Sequence, residues 1–332
     1  MIKKPSVLFI TSRDADYLQD AIYGGLVQEL GLQNVTEVPF NKNFHHEFRP
    51  YPRNLGLQPE GVLARGLMGF KKLHYDLVIV GAAKPDVFET YKKWLPKISS
   101  STPVVFIDGG DRPELGGDLA REGSPHLYRE VTGLRPFDWI FKREYLHTDT
   151  HPSHVRPLPF AINPKLLPAK TNEPKKYDVT FWAVESDPVR SQALQLIEDR
   201  FDCRANGTTR KQVFKKYKRK GLFYLEELTR AKITLNFRGV GWDTLRYWEV
   251  PALSRFLLSQ RPQIQIPNNF REGKEIIFCK DDLSDLVELC EYYLKNDEAR
   301  EQIARAAGEW SLRYHTPQAR AREVLSAVFG KL

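Results

Sequence analysis

Short apolar runs alternate with stretches of helical spacing along the first half of the chain. The apolar runs cover residues 7–11, 35–40, 76–80, 103–107 and 138–142, and helical spacing covers residues 18–30 and 87–95. A run as apolar as Asp76–Val80 is typical of a strand buried on both faces of a parallel sheet. Strands that alternate with helices predict a doubly wound α/β domain, whose ligands bind beyond the carboxyl ends of the strands.

The same alternation returns in the second half of the chain. Strands are predicted at 177–181, 232–237, 256–258 and 275–278, and helices at 188–199, at 283–294 and from 298 to the end with a break at His315. A proline-rich segment, residues 151–176, separates the two patterns and predicts the crossing between domains. We therefore expect one domain over residues 1–160 and a second over residues 161–315.

Two long loops interrupt the first domain. One covers residues 41–59 and carries His45 and His46, and the other extends from Asp108-Gly-Gly-Asp111 to about Gly133. Loops of this length are uncommon in compact domains and are often functional. Asp108 and Asp111 directly follow an apolar strand, where a ligand is expected.

Composition narrows the class of protein. The 332 residues suffice for two cores, with 41% hydrophobic residues, and the three cysteines show no metal-ligand spacing. Neither a signal peptide nor a membrane-spanning run is found in the sequence, so a soluble cytoplasmic protein is expected. The net charge of +8 favours anionic partners such as nucleotides, nucleic acid or a membrane surface, without choosing among them.

The stretch Asn236–Glu249 has the pattern of an anion site. An apolar strand leads into a loop with Gly239 and Gly241, and a helix is predicted to start at Asp243 or Thr244. Free amides and the positive end of a helix dipole would then face a phosphate group. The alternative is an ordinary strand-to-helix connection in which the glycines serve tight packing.

Charged side chains make the same stretch suited to a phosphate attached to a sugar. Arg238 and Arg246 add fixed positive charge, Lys274 is a weaker candidate of the same kind, and Glu249 could accept from two vicinal hydroxyls. Each has a plain alternative as a surface salt bridge or a solvated helix residue.

The densest basic run is Arg210–Lys220, in which two aromatic residues are interleaved with seven cationic ones. A solvated helix face is the simpler interpretation of such a run. The functional interpretation is a surface patch that binds an anionic acceptor, including nucleic acid.

An ordered series of motifs between residues 225 and 325 resembles a known family. The motifs are Leu228–Arg238, Gly241–Glu249, Ala252-Leu, Phe256–Ser259, Asn269–Glu275, Asp282-Leu, Tyr292–Leu294, Arg300–Ala304 and His315-Thr. Together they resemble the glycosyl transferases group 1 family and, within it, the CgeB-like (spore-maturation type) branch. The first half of the chain matches only as a generic α/β domain.

The resemblance implies a GT-B fold, in which two Rossmann-like domains face a cleft. It also implies that the C-terminal domain binds the nucleotide-sugar, here with UDP expected as the nucleotide, that the N-terminal domain binds the acceptor, and that neither a metal nor another cofactor is required. The last helix, about residues 316–332, is then expected to pack on the first domain.

Members of this family often carry two glutamates with seven residues between them, the second of which holds the ribose. Glu249 matches the second position, but Gly241 occupies the first. The carboxylate expected near the donor sugar is therefore missing, so the sequence leaves open whether the reaction retains or inverts the anomeric configuration.

An inverting reaction needs a general base for the acceptor hydroxyl. Asp108, Asp111 and His45 are the candidates, each with the simpler alternative of a turn-capping aspartate or a loop histidine.

These observations predict a metal-independent hexosyltransferase that uses a nucleotide-sugar and an unidentified acceptor. Two alternatives remain at this stage. One is a glycosyltransferase that modifies DNA or another nucleic acid, and the other is a non-catalytic nucleotide-sugar-binding protein.

Overall fold

A computed structural model describes residues 4–58, 74–168, 174–211 and 221–330. The chain divides into two compact units. Unit 1 comprises Met1–Ala161, Gln265–Pro267 and Pro317–Leu332, and unit 2 comprises Ile162–Ile264 and Asn268–Thr316. The last helix of the chain thus belongs to the first unit.

Unit 1 contains a parallel sheet with helices around it. Its strands are β1 (Val7–Ile10), β2 (Val35–Val38), β3 (Leu77–Val80), β4 (Val104–Asp108), β5 (Trp139–Lys142) and β6 (Val155–Pro157). Its helices are α1 (Tyr17–Leu30), α2 (Pro85–Trp94), α3 (Gly117–Arg121), α4 (His126–Leu134) and, from the end of the chain, α11 (Pro317–Phe329), with short 3-10 turns at Leu32–Asn34, Lys42–Phe44 and Leu95–Lys97. In the described residues the strand order is β2-β1-β3-β4-β5-β6. The order reverses at β1, which is the topological switch point where open α/β sheets bind ligands.

Both faces of this sheet are covered. All four residues of β1 and all four of β3 are buried, as expected for strands with helices on each side. Helix α11 packs closely on α1, where a Cβ on Gly25 would stand only 2.0 Å from the carbonyl oxygen of Pro317. A glycine at position 25 therefore permits the contact that holds the C-terminal helix on unit 1.

Unit 2 repeats the architecture with a smaller sheet. Its strands are β7 (Tyr177–Thr180), β8 (Ala231–Asn236), β9 (Leu257–Gln260) and β10 (Ile277–Cys279), paired in parallel in the order β10-β9-β8-β7 in the described residues. Its helices are α5 (Pro188–Ile197), α6 (Cys203–Asn206), α7 (Gly221–Thr229), α8 (Leu245–Ala252), α9 (Leu286–Lys295) and α10 (Asp297–Tyr314), with a short 3-10 turn at Pro164–Leu166. The core lies between the sheet and α5, α9 and α10, and includes the three buried, unpaired cysteines.

One prediction about the first unit is wrong, and one segment contains an element that the sequence did not predict. The predicted loop up to Gly133 contains α3 and α4, because Leu119, Leu127 and Val131 are apolar, buried and packed in the core despite the surrounding glycines and prolines. The proline-rich segment contains β6, which pairs with β5 at the edge of the sheet. An edge strand tolerates Pro157, since one side of it needs no ladder hydrogen bonds.

Across the residues that the structure describes, no helix combines the length and the apolar character needed to cross a membrane. Most of the predicted basic run lies at residues 212–220, outside the described residues; Arg210, at its start, forms a 2.5 Å ion pair with Glu198.

Candidate functional site

The strongest candidate site in unit 2 is the connection between β8 and α8, residues 237–244, which we call the donor loop. The strand ends at Asn236, in the middle of the sheet, and the helix starts at Leu245 with Thr244 as its N-cap. The Thr244 hydroxyl donates to Asn236 Oδ1 at 2.7 Å and makes no capping bond to the helix. The first two amides of α8, those of Leu245 and Arg246, have no partner in the described residues and keep their hydrogen-bonding capacity for a ligand, whereas the Tyr247 amide donates to the Thr244 carbonyl at 3.1 Å.

Arg238 is the partly exposed cation of the donor loop, with a third of its side chain accessible. Its guanidinium carbon lies 4.4 Å from the ring centre of Trp242, and Nε lies 3.3 Å from Asp187 Oδ2. Its backbone amide donates to Gln260 Oε1, at the end of β9, at 3.3 Å. These contacts hold the charged group over the carboxyl end of the sheet while leaving it accessible.

Arg190 of α5 holds the donor loop in place with its side chain and was not among the predicted site residues. Its guanidinium donates to three backbone carbonyls, those of Arg238 at 2.7 Å, Val184 at 2.7 Å and Phe237 at 3.1 Å. A Cβ on Gly239 would lie 3.0 Å from Arg190 Nη2, so the glycine makes room for this guanidinium. Burial, reinforced by the charge of Arg246, lowers the pKa of Arg190 to about 10, which leaves it charged at neutral pH.

Arg246 and Glu249 lie on the first turns of α8 and are both buried. Arg246 Nη2 donates to the carbonyl of Trp182 at 2.5 Å, whereas its Nε has no hydrogen-bond partner in the described residues. Glu249 accepts a 3.1 Å hydrogen bond from the Tyr224 hydroxyl of α7. Burial raises the pKa of Tyr224, to which the Glu249 charge adds, so the phenol stays a donor.

The remaining predicted residues of unit 2 differ in their surroundings. Asp243 accepts a 2.7 Å hydrogen bond from Trp248 Nε1, which is a contact that stabilises the loop. Gly241 is buried, and its carbonyl accepts from the Gly239 amide at 2.8 Å. Lys274 is exposed in a turn, and its side chain makes no hydrogen bond or ion pair within the described parts of the chain.

Asp108 in unit 1 forms a buried ion pair, which favours a structural role over that of a base. It lies at the end of β4, in register with Lys142 at the end of β5, and the two charged atoms are 3.0 Å apart with both side chains fully buried. Asp108 also accepts from the Gly116 amide at 2.9 Å. A carboxylate paired with a cation inside the core is typical of a group that stabilises the fold.

His45 has similar surroundings. Its Nε2 lies 2.7 Å from Glu37 Oε1, its ring stacks on Phe40, and both members of the pair are buried. This arrangement favours a role in fixing the loop onto β2 rather than contact with a substrate.

Asp111 is the predicted base that does line a cavity. It pairs with Arg143 and, at 3.3 Å, with Arg121. Burial alone would raise the pKa of Asp111, but these two guanidinium groups together lower it. A carboxylate of low pKa held by two arginines is a weak proton acceptor.

The cavity beside Asp111 has a volume of about 190 Å³ and lies at the carboxyl ends of β1, β3, β4 and β5. Its lining includes Asp16 and Lys84, which sequence reasoning did not select. Both are N-cap residues at the end of a loop that follows a strand, Asp16 after β1 and Lys84 after β3, and neither adjoins its strand as Asp108 does.

Comparison with known proteins agrees with this description. Residues 190–326 match the family model described as "Glycosyl transferase-like", which supports the resemblance to group 1 glycosyltransferases. A sequence comparison with curated proteins gives no match.

Solved structures share the fold over nearly the whole chain. HepE of Anabaena, crystallised with UDP-glucose, has a TM-score of 0.58 at 8% identity and covers 98% of this chain and 99% of its own. Sucrose-phosphate synthase of Thermosynechococcus elongatus has a TM-score of 0.59 at 11% identity and covers 98% of both chains. An alpha-glucosyltransferase crystallised with UDP and a 13-mer DNA has a TM-score of 0.55 at 11% identity and covers 98% of this chain and 100% of its own. The predicted GT-B fold is thereby confirmed.

Proposed function

We propose that the protein transfers a sugar from a nucleotide-sugar, with UDP as the first nucleotide to test, to a hydroxyl group of an acceptor. The donor loop of unit 2 carries this proposal, since it combines a free helix N-terminus with the accessible cation Arg238 inside a glycosyl transferase-like domain. HepE, which has the same fold, was crystallised with UDP-glucose, and this supports the choice of nucleotide.

The diphosphate of the donor is assigned to Arg238 and the first amides of α8. A guanidinium and backbone amides match the geometry of phosphate oxygens. Their hydrogen bonds to these oxygens strengthen as negative charge builds up on the leaving group. In the reaction the acceptor hydroxyl gives its proton to a basic group and its oxygen bonds to the anomeric carbon. The bond from that carbon to the diphosphate breaks, and its electron pair leaves with the nucleoside diphosphate. In this proposal protein cations and amides, without a metal, stabilise that charge.

The ribose is assigned to Glu249. A carboxylate accepts hydrogen bonds from two vicinal hydroxyls, and the 3.1 Å contact from Tyr224 fixes its orientation before the ligand arrives. Arg246, whose buried Nε keeps one unused donor in the described structure, stands on the same helix nearer to its N-terminus and adds positive charge toward the diphosphate.

Release of nucleoside diphosphate tests the enzyme directly. The protein is incubated with a panel of UDP-, GDP- and ADP-sugars, with and without candidate acceptors, and free diphosphate is measured. We expect release with at least one donor. Binding without release from any donor or acceptor would favour a non-catalytic binding protein, the alternative that Gly241 in place of a family glutamate suggests.

Titration with UDP tests the assignment of the diphosphate. Arg238→Ala is expected to weaken binding by about 10- to 100-fold, as loss of a hydrogen bond to a charged group implies. Arg204→Ala is the matched control, because Arg204 is an exposed arginine of the same unit whose side chain is 72% accessible. Equal affinities for the two variants would remove Arg238 from the site.

A second candidate function is modification of nucleic acid. It is favoured by the net charge of +8 and by the likeness to an alpha-glucosyltransferase crystallised with UDP and DNA. Binding to duplex DNA should then fall steeply as salt rises, with a slope that reflects several phosphate contacts. A response that is flat in salt would remove this candidate.

Three finer points belong to the same proposal. Membership of the CgeB-like branch rests on the motifs between residues 225 and 325. A cytoplasmic location rests on three cysteines that are free and buried. The assignment of the acceptor to unit 1, with unit boundaries near residues 160 and 316, rests on the family resemblance and on the cavity in that unit.

A further inference from the structure

The cavity of unit 1 is built from loops that follow four adjacent strands. Asp16 and Tyr17 follow β1, Lys84 follows β3, the segment Gly109–Asp111 follows β4, and Arg143 follows β5. Because β1 marks the reversal of strand order, the cavity occupies the switch point of the sheet. The location is the one where such a sheet opens a crevice for a ligand.

Several polar groups at this cavity keep hydrogen-bonding capacity. Asp16 uses Oδ1 to accept from the Gln19 amide at 3.0 Å, while its Oδ2 has no hydrogen-bond partner among the described residues. Among the described residues Lys84 Nζ makes one hydrogen bond, a 3.3 Å contact with the carbonyl of Ala15. The cavity therefore offers both a carboxylate acceptor and ammonium donors side by side.

The amides of Gly109 and Gly110 are two further donors without a partner in the part of the chain that the structure describes. Side chains could not replace these glycines without movement, because a Cβ on Gly110 would lie 2.5 Å from Asp118 Cγ. A Cβ on Gly109 would lie 3.0 Å from Leu18 Cβ. The two glycines thus make room for Asp118 and Leu18, which pack against the backbone beside the cavity.

The arginines of the cavity are neutralised within the protein. Arg143 pairs with Asp111 and stacks over the Phe160 ring at 4.4 Å, and Arg121 pairs with Asp118 at 2.8 Å. Three cationic and four acidic side chains line the cavity in all. A phosphate or carboxylate ligand would meet Asp16 with no surplus of positive charge, so the balance favours a neutral ligand.

A hydroxyl group fits the free groups that remain, because it donates and accepts at once. It can donate to Asp16 Oδ2 and accept from Lys84 or from a glycine amide. Burial raises the pKa of Asp16, so its carboxylate is a better proton acceptor than that of Asp111. The ring of Tyr17, in edge contact with Phe160 at 6.2 Å, adds an apolar wall of the kind on which sugar rings pack.

We propose that this cavity binds the acceptor of the transfer reaction through a neutral polyhydroxylated group, a sugar ring, with one hydroxyl held between Asp16 and Lys84. The inference rests on the proposed function only for the statement that the bound sugar is the acceptor of a transfer reaction. Binding of a sugar at the cavity is independent of that function and can be measured without any donor.

The test uses the whole protein and an array of immobilised neutral oligosaccharides, phosphorylated sugars and duplex DNA. Asp16→Asn removes the charge but keeps an N-cap oxygen for α1, so the variant is expected to fold. Asp14→Asn is the matched control, an exposed aspartate two residues earlier outside the cavity lining. Lys84→Met is a second variant that removes the donor side.

We expect wild type and Asp14→Asn to bind a subset of neutral glycans, and both cavity variants to lose at least about 10-fold in affinity. UDP affinity is measured in parallel and should be the same in all four proteins. Loss of UDP binding would therefore count against the donor site alone, and loss of glycan binding against the cavity alone. Three results would overturn the inference. The protein could bind only phosphorylated sugars or DNA, it could bind no neutral glycan at all, or its binding of neutral glycans could survive both cavity substitutions.

Discussion

Arg190 Nε donates a 2.7 Å hydrogen bond to the backbone carbonyl of Arg238, and the same guanidinium holds the carbonyl of Phe237 at 3.1 Å. One buried arginine thus determines the path of the chain that presents another arginine to a ligand. Preorganisation of this kind lets Arg238 bind a diphosphate without the loop first being ordered.

Arg190→Lys is expected to destabilise unit 2 by about 2 to 5 kcal/mol, because a single ammonium cannot serve three divergent carbonyls and leaves some of them unpaired. Urea unfolding followed by circular dichroism measures the loss. Arg204→Lys, at an exposed ion pair, should change stability by less than about 0.5 kcal/mol. Arg190→Lys with wild-type stability and UDP affinity would show that the loop needs no such support.

Glu249 is predicted to bind the ribose hydroxyls, and a ligand series can isolate that contact. For wild type, 2′,3′-dideoxy-UDP should bind about 10-fold or more weakly than UDP, since the buried carboxylate loses its hydroxyl partners. For Glu249→Gln the two ligands should differ by much less. A penalty of equal size in both proteins would place the ribose elsewhere.

Asp108 is predicted to matter for stability and not for proton transfer. Asp108→Asn breaks its buried ion pair with Lys142 and should cost about 3 to 5 kcal/mol, because an uncompensated ammonium remains in the core. The thermal unfolding midpoint measures this effect. A variant with wild-type stability but no transferase activity would restore Asp108 as the candidate base.

Asp20 of α1 predicts a pH dependence of stability. It is buried, and burial is the main cause that raises its pKa from 3.8 to about 8, with Asp16 adding to the shift and Gln19 and Lys84 opposing it. The folded state therefore holds this proton more tightly than the unfolded state, so stability falls as the pH rises from about 4 to about 8. Neutral Asp20→Asn should be more stable than wild type at pH 8, by a few kcal/mol in order of magnitude.

Urea midpoints of wild type and Asp20→Asn between pH 5 and pH 9 test this expectation. The two should converge toward acid and separate toward alkali. Parallel curves would mean that Asp20 does not hold its proton in the folded protein.

The strands other than β6 were predictable because their apolar runs are local. Runs such as Leu77–Val80 leave no alternative to burial on both faces of a sheet. Helices α3 and α4 were missed because Gly116 and Pro125 indicate turns, and only burial of Leu119 and Leu127 in the core shows that the chain is helical there. Tertiary packing overrides local propensity at that point.

The site residues that lie in one stretch of the sequence were predictable. The site residues that only folding brings together were not. The glycines and charges of Asn236–Glu249 lie in one stretch and locate the donor loop. Arg190 stands 48 residues before Arg238 and belongs to no local pattern, so only the fold brings them together. Asp108 ends β4 and Asp16 lies beyond the end of β1, as the N-cap of α1. Only the structure shows that Asp108 is paired with Lys142 in the core and that Asp16 lines a cavity.

A crystal structure with bound UDP tests the central claim most directly. We expect the diphosphate to lie within hydrogen-bond distance of the Arg238 guanidinium and of the first two amides of α8, and the ribose hydroxyls to bind Glu249. A diphosphate bound away from the donor loop would contradict that claim.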